Sequence, residues 1–431
     1  MPASGSPSCT LHPALAGGLT RDLRTWPHHS ITRHALDMAL AKVNRGESDI
    51  TASFGIYNGS LYWLNPDKFA HPRNPHIYAV ADDLRALMQI HAVSDVEFVL
   101  NVDDYPKAVH KVAAAPGGAE TLAMPLFSYT KRDPGDRGPS DRDVLVPSGA
   151  FRMSLFEQKL EGRSVRDWEQ SYPWSNKASK AYFRGTPYCG MHHNFGRCSR
   201  YMLAHLARDH PAAPLDVGLV EYNEAHDTEL ARARSSGMRT GGPLAKAARK
   251  YDVEGRYRWL LHLDGHSFSN RLQALLLTNS LILKQQSPYV EYYYRALQAW
   301  QHYVPFYRHA ADDILELLSN LTEHDDVARA IAARGQAFAH AHLNVDARQC
   351  YWRHLLYRWR RRLAFEPSLE ARSHARRVRA KDYVCGECRR PRNPDLIGPW
   401  PPSHPCSKAR LTMGARASVK GCRQAAATGG A

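Results

Sequence analysis

Long hydrophobic runs are absent from this sequence, and cysteines are few. No apolar stretch approaches the ~18 residues that cross a bilayer, so no membrane span is predicted. The first 26 residues lack the continuous apolar core of a signal peptide, and no secretion signal is predicted from them. Eight cysteines among 431 residues are too few for a disulfide-built scaffold and do not fix the redox compartment.

Positive charge is abundant but unevenly distributed. The formal net charge of +15 by itself suggests a polyanionic partner. Residues 371–431 hold thirteen Lys and Arg against three Asp and Glu, a net of +10, so the rest of the chain carries only +5. This basic tail contains one Trp, one Tyr and no nucleic-acid-binding motif. Nucleic-acid binding through the tail is therefore the weaker alternative, and no nucleic-acid partner is predicted.

Hydrophobic periodicity predicts an α/β protein of about two domains. Short strand-like runs alternate with helical patterns, as in parallel sheets flanked by helices. The segment FGIYNGSLYWL predicts a β-hairpin with Asn58-Gly59 at its turn. Helical spacing is predicted over 289–300 and over a long amphipathic segment at 343–366.

Both ends of the chain have compositions typical of unstructured segments. Residues 1–29 are polar and contain Pro and Gly, and we expect them to be flexible. Residues 371–431 are rich in Arg, Pro, Ser, Gly and Ala, and we expect a disordered basic tail.

Asp104 is a candidate general base. It lies in NVDDYP, directly after a predicted buried strand, and ligands of open α/β sheets bind outside the carboxyl ends of the strands. The alternative is that this aspartate only caps a turn or a helix.

The segment LDGHSFSNR places small hydroxyls and a cation where a predicted strand gives way to a predicted helix. Ser267 or Ser269 is expected to cap that helix, whose free amides would then bind an anion. Arg271 in the first turn opposes the helix dipole unless an anion is bound. A capped helix with a solvated arginine is the alternative.

Two further charged residues are candidates for ligand binding. Arg184 ends a predicted strand and could clamp a diphosphate with its fork of donors, or form a structural ion pair. Glu291 lies among aromatic residues and could accept the two hydroxyls of a ribose, or be a surface glutamate on a helix.

No metal site is predicted. The cluster Cys189, His192, His193 and Cys198 matches no known zinc spacing. Cys385 and Cys388 form a single C-x-x-C pair, which is half a zinc site.

In their order, the motifs NVDDYP, PLFSYTK, DVLVP, PWSNKASKAYFRGT, LDGHSFSNR and EYYY resemble glycosyltransferase family 90, the capsule-associated and Rumi-type protein O-glucosyl- and O-xylosyltransferases. The resemblance covers roughly residues 54–365. It implies a GT-B-like fold of two Rossmann-like domains separated by a cleft. Residues 30–165 would face the acceptor, residues 166–342 would bind the UDP-sugar, and the helix at 343–366 would pack back on the first domain.

The resemblance also implies a role for each site residue. Asp104 falls on the catalytic base and Arg184 on an arginine that binds the diphosphate. Glu291 falls on a glutamate near the nucleoside, and Ser179 on a serine near the sugar nucleotide. The loop that binds the nucleotide sugar, hereafter the donor loop, consists of His266, Ser267, Phe268, Ser269, Asn270 and Arg271.

The function implied is that of an inverting transferase. It would use UDP-glucose or UDP-xylose, need no metal or other cofactor, and modify a hydroxyl of a protein or glycan in the endoplasmic reticulum or Golgi lumen, as a monomer. Asp103 stands where Rumi-type members often have Arg, and segment 148–170 is shorter than theirs, which leaves the donor sugar and the acceptor open. A degenerate member that binds UDP without turnover is the alternative.

Overall fold

The computed structural model describes residues 9–43, 51–64, 75–107, 124–133, 135, 140–148, 164–186, 198–220, 253–307 and 310–378. Its α-helices within these ranges are Pro13–Leu23 (α1), Arg33–Val43 (α2), Pro75–Ile90 (α3), Val165–Ser171 (α4), Ser199–Asp209 (α5), Leu272–Leu276 (α6), Asp313–Glu323 (α7), Asp325–His342 (α8) and Val345–Arg360 (α9).

The strands of these ranges build two larger sheets and one short ribbon. They are Thr51–Tyr57 (β1), Ser60–Trp63 (β2), Val96–Asn101 (β3), Leu126–Ser128 (β4), Lys131–Arg132 (β5), Val144–Leu145 (β6), Ala178–Gly185 (β7), Leu215–Leu219 (β8), Tyr257–His262 (β9), Leu281–Gln285 (β10), Tyr289–Val290 (β11), Val304–Phe306 (β12) and Arg376–Arg377 (β13).

The first sheet has the order β13-β2-β1-β3-β4-β6. β1 and β2 form the predicted hairpin, and the turn places Asn58 and Gly59 at φ of 47° and 68°, the positive values that these two residue types tolerate. β3, β4 and β6 run parallel. The carboxyl end of β3 is therefore free to carry a ligand-facing turn.

The second sheet has the order β12-β10-β9-β7-β8, and every neighbouring pair in it is parallel. Its strands are rich in Leu, and their central residues are buried, as in a sheet covered on both faces. The predicted α/β class with parallel strands is confirmed, although the first sheet also contains the antiparallel pairs of β1 with β2 and β3. In the chain, β5 follows β4 of the first sheet and β11 follows β10 of the second sheet. The two short strands pair with each other as a separate antiparallel ribbon.

The expectation of a flexible amino terminus is wrong for residues 9–29. Helix α1 buries Leu15, Leu19 and Leu23 in the larger hydrophobic core, a pattern that places three leucines on one helical face at a spacing of four. A disulfide joins Cys9 to Cys350 of α9, across 341 residues of sequence. The apolar stripe and the covalent link together outweigh the polar composition of this segment.

The amphipathic segment near the carboxyl end forms α9, which contacts α3, β3 and α1 and places Trp352 and Trp359 in the larger core. The predicted boundary of the disordered tail at 371 is wrong by eight residues. Arg372 forms an ion pair with the buried Glu97, and β13 adds to the edge of β2. The remainder of the predicted tail lies outside the described residues.

The helix predicted over 289–300 is also wrong. The segment instead contains β11 and a single 3₁₀ turn at Tyr294–Ala296. Tyr292, Tyr293 and Tyr294 are all buried, and the ring of Tyr293 contacts each of the other two edge to face. Packing of these rings and pairing with β5 override the helical spacing.

Candidate active site

Asp104 lies in a turn that the last residue of β3 holds in place. The buried Asn101 side chain donates to the carbonyl oxygen of Tyr105 at 2.9 Å and accepts from the backbone N–H of Asp103 at 3.1 Å. Asp104 itself is solvent-exposed. Protein atoms around its carboxyl group nonetheless raise the pKa of Asp104 by desolvation, and the nearby His266 opposes that rise. A carboxylate that is both reachable and more basic than usual suits proton abstraction.

The donor loop contacts this turn directly. The Ser267 hydroxyl donates a hydrogen bond to the backbone carbonyl oxygen of Asp104, and the Ser267 side chain is buried by the contact. The rings of His266 and Tyr105 lie 6.4 Å apart, centroid to centroid. Loops from the carboxyl ends of β3 and β9, in two different sheets, therefore meet at Asp104.

Backbone contacts fix the inside of the donor loop. His262 on β9 contacts the carbonyl oxygen of Ser269 through Nε2 at 2.9 Å, and the N–H of Gly265 donates to the carbonyl oxygen of Phe268 at 3.4 Å. Ser269 is buried, Phe268 is half-buried and Asn270 is exposed. Of the predicted loop residues, Asn270 thus has the side chain most accessible to a ligand.

The predicted cap of helix α6 is wrong. Arg271 occupies the N-cap position, no side chain caps the helix, and the helix is only five residues long. The Ser267 hydroxyl instead donates to the backbone carbonyl oxygen of Asp104, and Ser269 contacts His262 through its own carbonyl oxygen. Because the helix is so short, its dipole contributes little, and any anion site here must depend on side chains.

Arg271 lies beside the end of β7. Its Nη1 donates to the carbonyl oxygen of Arg184 at 2.7 Å, and its guanidinium carbon lies 4.8 Å from the centre of the Phe183 ring. A Cβ at position 185 would lie only 2.6 Å from the Phe183 ring, so Gly185 leaves room for the ring against which Arg271 packs. The predicted cation of the donor loop and the predicted diphosphate arginine are therefore neighbours.

Arg184 forms an ion pair. Its Nη2 donates to Oδ1 of Asp216 at 2.6 Å, and its Nη1 donates to the Asp216 and Phe183 carbonyl oxygens at 2.7 and 2.9 Å. The Tyr257 hydroxyl donates to the other oxygen of Asp216 at 2.7 Å. The structural ion pair left open by the sequence is present, and a diphosphate would have to share this guanidinium with Asp216.

Two predicted site residues do not join the others. Ser179 is exposed near the amino end of β7, about 16 Å along the strand from Arg184 at ~3.3 Å per residue. Glu291 is only 1% exposed and accepts a hydrogen bond from the Tyr293 hydroxyl at 3.0 Å. Burial raises the pKa of Glu291 to about 8. The surface glutamate considered for Glu291 is excluded, and its carboxyl group is not open to a ribose in this structure.

Sequence reasoning missed Arg200 and Gln285. The buried Arg200 on α5 donates to the carbonyl oxygens of Thr186 at 2.7 Å and of Leu263 at 3.4 Å, so it links the ends of β7 and β9. Gln285 accepts from the backbone N–H of Asp264 at 3.0 Å and from the Ser199 hydroxyl at 2.8 Å. A charged residue on the apolar face of the pattern CSRYMLAHLARD was the available signal for Arg200.

A single group of described residues has donor atoms close enough to hold a metal, namely Cys9, Cys350 and His354. Two of its members form the disulfide, so their sulfurs are not thiolate ligands. Cys198 of the other candidate set is disulfide-bonded as well, while Cys189, His192 and His193 lie outside the described residues. None of the described helices is long and apolar enough to span a membrane.

The site therefore combines an accessible carboxylate with three arginines, Arg184, Arg200 and Arg271, at the end of β7. The carboxylate can accept a proton, and the arginines can stabilise a negatively charged leaving group.

The sequence matches a family model described as Glycosyl transferase family 90 over residues 7–395. It is 32% identical over 280 residues to protein O-glucosyltransferase 1 of Mus musculus, covering 62% of each chain. It is 26% identical over 383 residues to O-glucosyltransferase rumi of Drosophila melanogaster, covering 85% of this chain and 81% of that protein. The chain thus spans less than two thirds of the mouse relative.

Solved structures give a weaker similarity. The crystal structure of Anabaena Alr3699/HepE in complex with UDP-glucose matches 43% of this chain and 50% of that chain with a TM-score of 0.30 and 11% identity. The crystal structure of TarM matches 55% and 51% with a TM-score of 0.34 and 7% identity.

Proposed function

This chain belongs to glycosyl transferase family 90, and from that premise we propose that it transfers glucose or xylose from a UDP-sugar to a hydroxyl group of a protein or glycan. We further propose that the reaction inverts the anomeric centre, that Asp104 is the general base and that no metal or other cofactor is required. The relatives named protein O-glucosyltransferase support the reaction class.

The observation that carries the proposal is the contact between Ser267 and Asp104. It brings the predicted base of the first sheet against the predicted donor loop of the second. A base and a donor site on separate units must meet across the cleft before a hydroxyl can be activated beside a bound sugar.

In the proposed reaction, Asp104 accepts the proton of the acceptor hydroxyl. The oxygen of that hydroxyl forms a bond to the anomeric carbon from the face opposite UDP, and the bond from that carbon to the diphosphate oxygen breaks. The electron pair leaves with UDP. The raised pKa of Asp104 favours this role, because it makes the carboxylate a stronger base.

Arg271, Arg184 and Arg200 would stabilise the charge that develops on the departing diphosphate. Fixed guanidinium groups supply positive charge without a bound cation, which supports metal independence. Arg184 also pairs with Asp216, so it would share its charge between that carboxylate and the diphosphate.

We propose that the protein acts as a monomer in an oxidising compartment, the lumen of the endoplasmic reticulum or Golgi. The disulfide between Cys9 and Cys350 and the disulfide-bonded Cys198 support this location, because such bonds persist in oxidising environments.

Release of UDP from UDP-glucose and UDP-xylose, with and without hydroxyl acceptors, tests the proposal. The wild-type protein should form UDP from one of these donors, and Asp104→Asn should bind UDP with nearly the same affinity but form it from the donor far more slowly. UDP binding by the wild-type protein with no turnover of any donor would favour the degenerate alternative instead.

A further inference from the structure

We propose that a second carbohydrate site lies on the unit that carries the second sheet, where it binds one pyranose ring of a sugar or glycan. This inference rests on the proposed sugar transfer but concerns a separate cavity of about 190 Å³. The residues that carry the argument all line it: Glu169, Trp174, Ser175, Asn279, Arg329 and Gln336.

The cavity and the candidate active site lie at opposite ends of the same strands. Trp174 and Ser175 come just before β7, and Asn279 comes just before β10. The donor loop and Arg184 lie at the carboxyl ends of β9 and β7. Since β7 has eight residues, it is about 26 Å long at ~3.3 Å per residue. A ligand in this cavity therefore does not compete with a donor in the cleft.

The aromatic wall of the cavity is held rigid. Trp174 Nε1 donates to Oδ2 of Asp325 at 2.9 Å. Arg258 pairs with Oδ1 of the same carboxylate at 2.9 Å, and its guanidinium carbon lies 5.8 Å from the centre of the Trp174 ring. Only 8% of Trp174 is exposed, so this fixed indole offers the cavity a small apolar contact rather than an open ring face, and little side-chain entropy is lost on binding.

The side-chain amide of Asn279 is poorly hydrogen-bonded by the residues around it. Its Oδ1 has no hydrogen-bond partner among the described residues, and its Nδ2 reaches the Tyr172 carbonyl oxygen only at 3.4 Å. The side chain is 8% exposed and lines the cavity. A small rotation of the amide would present both an acceptor and donors to a ligand, which would relieve the unfavourable burial of an unpaired acceptor.

The turn that carries Asn279 is anchored on both sides. The buried Lys177 donates to the Thr278 carbonyl oxygen at 3.2 Å and to the Ser280 hydroxyl at 3.0 Å. Asn279 adopts a φ of 48°, a left-handed conformation that asparagine tolerates better than most residues. The amide is therefore positioned by its backbone before any ligand arrives.

The lining favours a neutral polyhydroxylated ligand. The exposed Glu169 and Arg329 bring one charge of each sign, so the cavity offers no net attraction to an anion. Asn279 adds an amide that sugar hydroxyls can both donate to and accept from. The buried Gln336 amide already donates to the Leu277 carbonyl oxygen at 2.8 Å. The volume is below the ~300–1,000 Å³ of pockets for drug-sized ligands, which fits a single ring.

Saturation-transfer NMR with methyl glucopyranoside and methyl xylopyranoside, at saturating UDP, tests the site. We expect binding to the wild-type protein, and an affinity lower by about two- to tenfold for each lost hydrogen bond in Asn279→Gly and Arg329→Ala. Asn279→Gly keeps the left-handed turn accessible, and Arg329 is exposed, so both variants should fold. Arg334→Ala, an exposed position on the same helix that does not line the cavity, is the matched control and should bind as wild type.

Equal glycoside binding by the wild-type protein and all three variants would overturn the proposal. Loss of glycoside binding on addition of UDP would also overturn it. So would a preference for an anion such as inorganic phosphate over both glycosides. Repeating the measurement in Asp104→Asn separates this inference from the proposed transfer, because a protein without turnover must still bind the glycoside here. An O-glucosylated peptide serves as a second probe: tighter binding than the free glycoside assigns the site to an attached glycan, and equal binding assigns it to a free sugar.

Discussion

The Arg271 guanidinium donates a 2.7 Å hydrogen bond to the backbone carbonyl oxygen of Arg184. Two residues separated by 87 positions in the sequence thus bring the donor loop against the end of β7. This bond and the contact with the Phe183 ring hold the guanidinium in place at the end of that strand.

We expect Arg271→Ala to weaken UDP-sugar binding and transfer together. Hydrogen bonds to charged groups contribute about 1.5–3 kcal/mol, so kcat/KM should fall on the order of tenfold to a hundredfold. Arg271→Lys should restore only part of the activity, because a point charge cannot bridge two phosphate oxygens as a guanidinium does. Initial rates and UDP titrations measure both effects. Unaltered UDP affinity in Arg271→Ala would count against this assignment.

Addition of EDTA should leave the wild-type rate unchanged. Positive charge from the arginines would replace a metal at the diphosphate. A rate that is lost in EDTA and restored by Mn²⁺ would contradict this expectation and would point to a metal site.

Asp104→Asn should lower kcat by about 10²–10⁴-fold while UDP affinity stays nearly intact, as expected for loss of a general base. In the wild-type protein, kcat/KM should fall as the pH drops below the pKa of Asp104, because the protonated carboxyl group cannot accept a proton. That pKa is raised by desolvation, so the loss should begin at a higher pH than for a free aspartate. Wild-type turnover in Asp104→Asn would show that the residue only shapes the turn.

The lowered pKa values of His302 and His342 predict a loss of stability in acid. His12 and His342 have ring centroids 4.5 Å apart, and His302 and His342 each lie 5.1 Å from the Phe338 ring. Desolvation lowers the pKa of His302 and His342, with Arg334 adding to the effect at His302. Since their folded pKa values lie below the unfolded value of 6.5, their contribution to stability is complete above pH ~6.5 and is lost as the pH falls through the folded values.

Melting temperatures between pH 8 and pH 5 check this. His302→Gln and His342→Gln should each flatten the acid side of the profile, whereas His34→Gln, at an exposed position, should leave it unchanged. A profile that is identical in all variants would show that other groups govern the acid transition.

Arg372→Ala should destabilise the fold by about 3–5 kcal/mol, because it removes the cation paired with the fully buried carboxylate of Glu97 and leaves the neutral Tyr57 hydroxyl to donate to it. Denaturant unfolding measures the loss, and Arg377→Ala at an exposed position is the control. Truncation after Ala380 keeps Arg372 and should leave both stability and activity unchanged. A large fall in melting temperature on that truncation would show that the tail docks on the folded body.

The sequence by itself determined the fold class, the hairpin and most helices and strands. These depend on local signals: alternation of apolar residues, the Asn58-Gly59 turn, and acids in the first turns of α7 and α8. It also predicted Asp104 and the donor loop as site residues, since motif order along the chain is a one-dimensional property.

Only the tertiary structure decided which groups meet. The contacts of Ser267 with Asp104 and of Arg271 with Arg184 join residues far apart in sequence, and no periodicity reports them. Burial of Glu291 among tyrosines, the ion pair of Arg184 with Asp216 and the anchoring of residues 9–29 by α1 and Cys9 are likewise consequences of packing. Composition and spacing record what each segment prefers alone, whereas the free energy of these contacts depends on partners that the fold brings together.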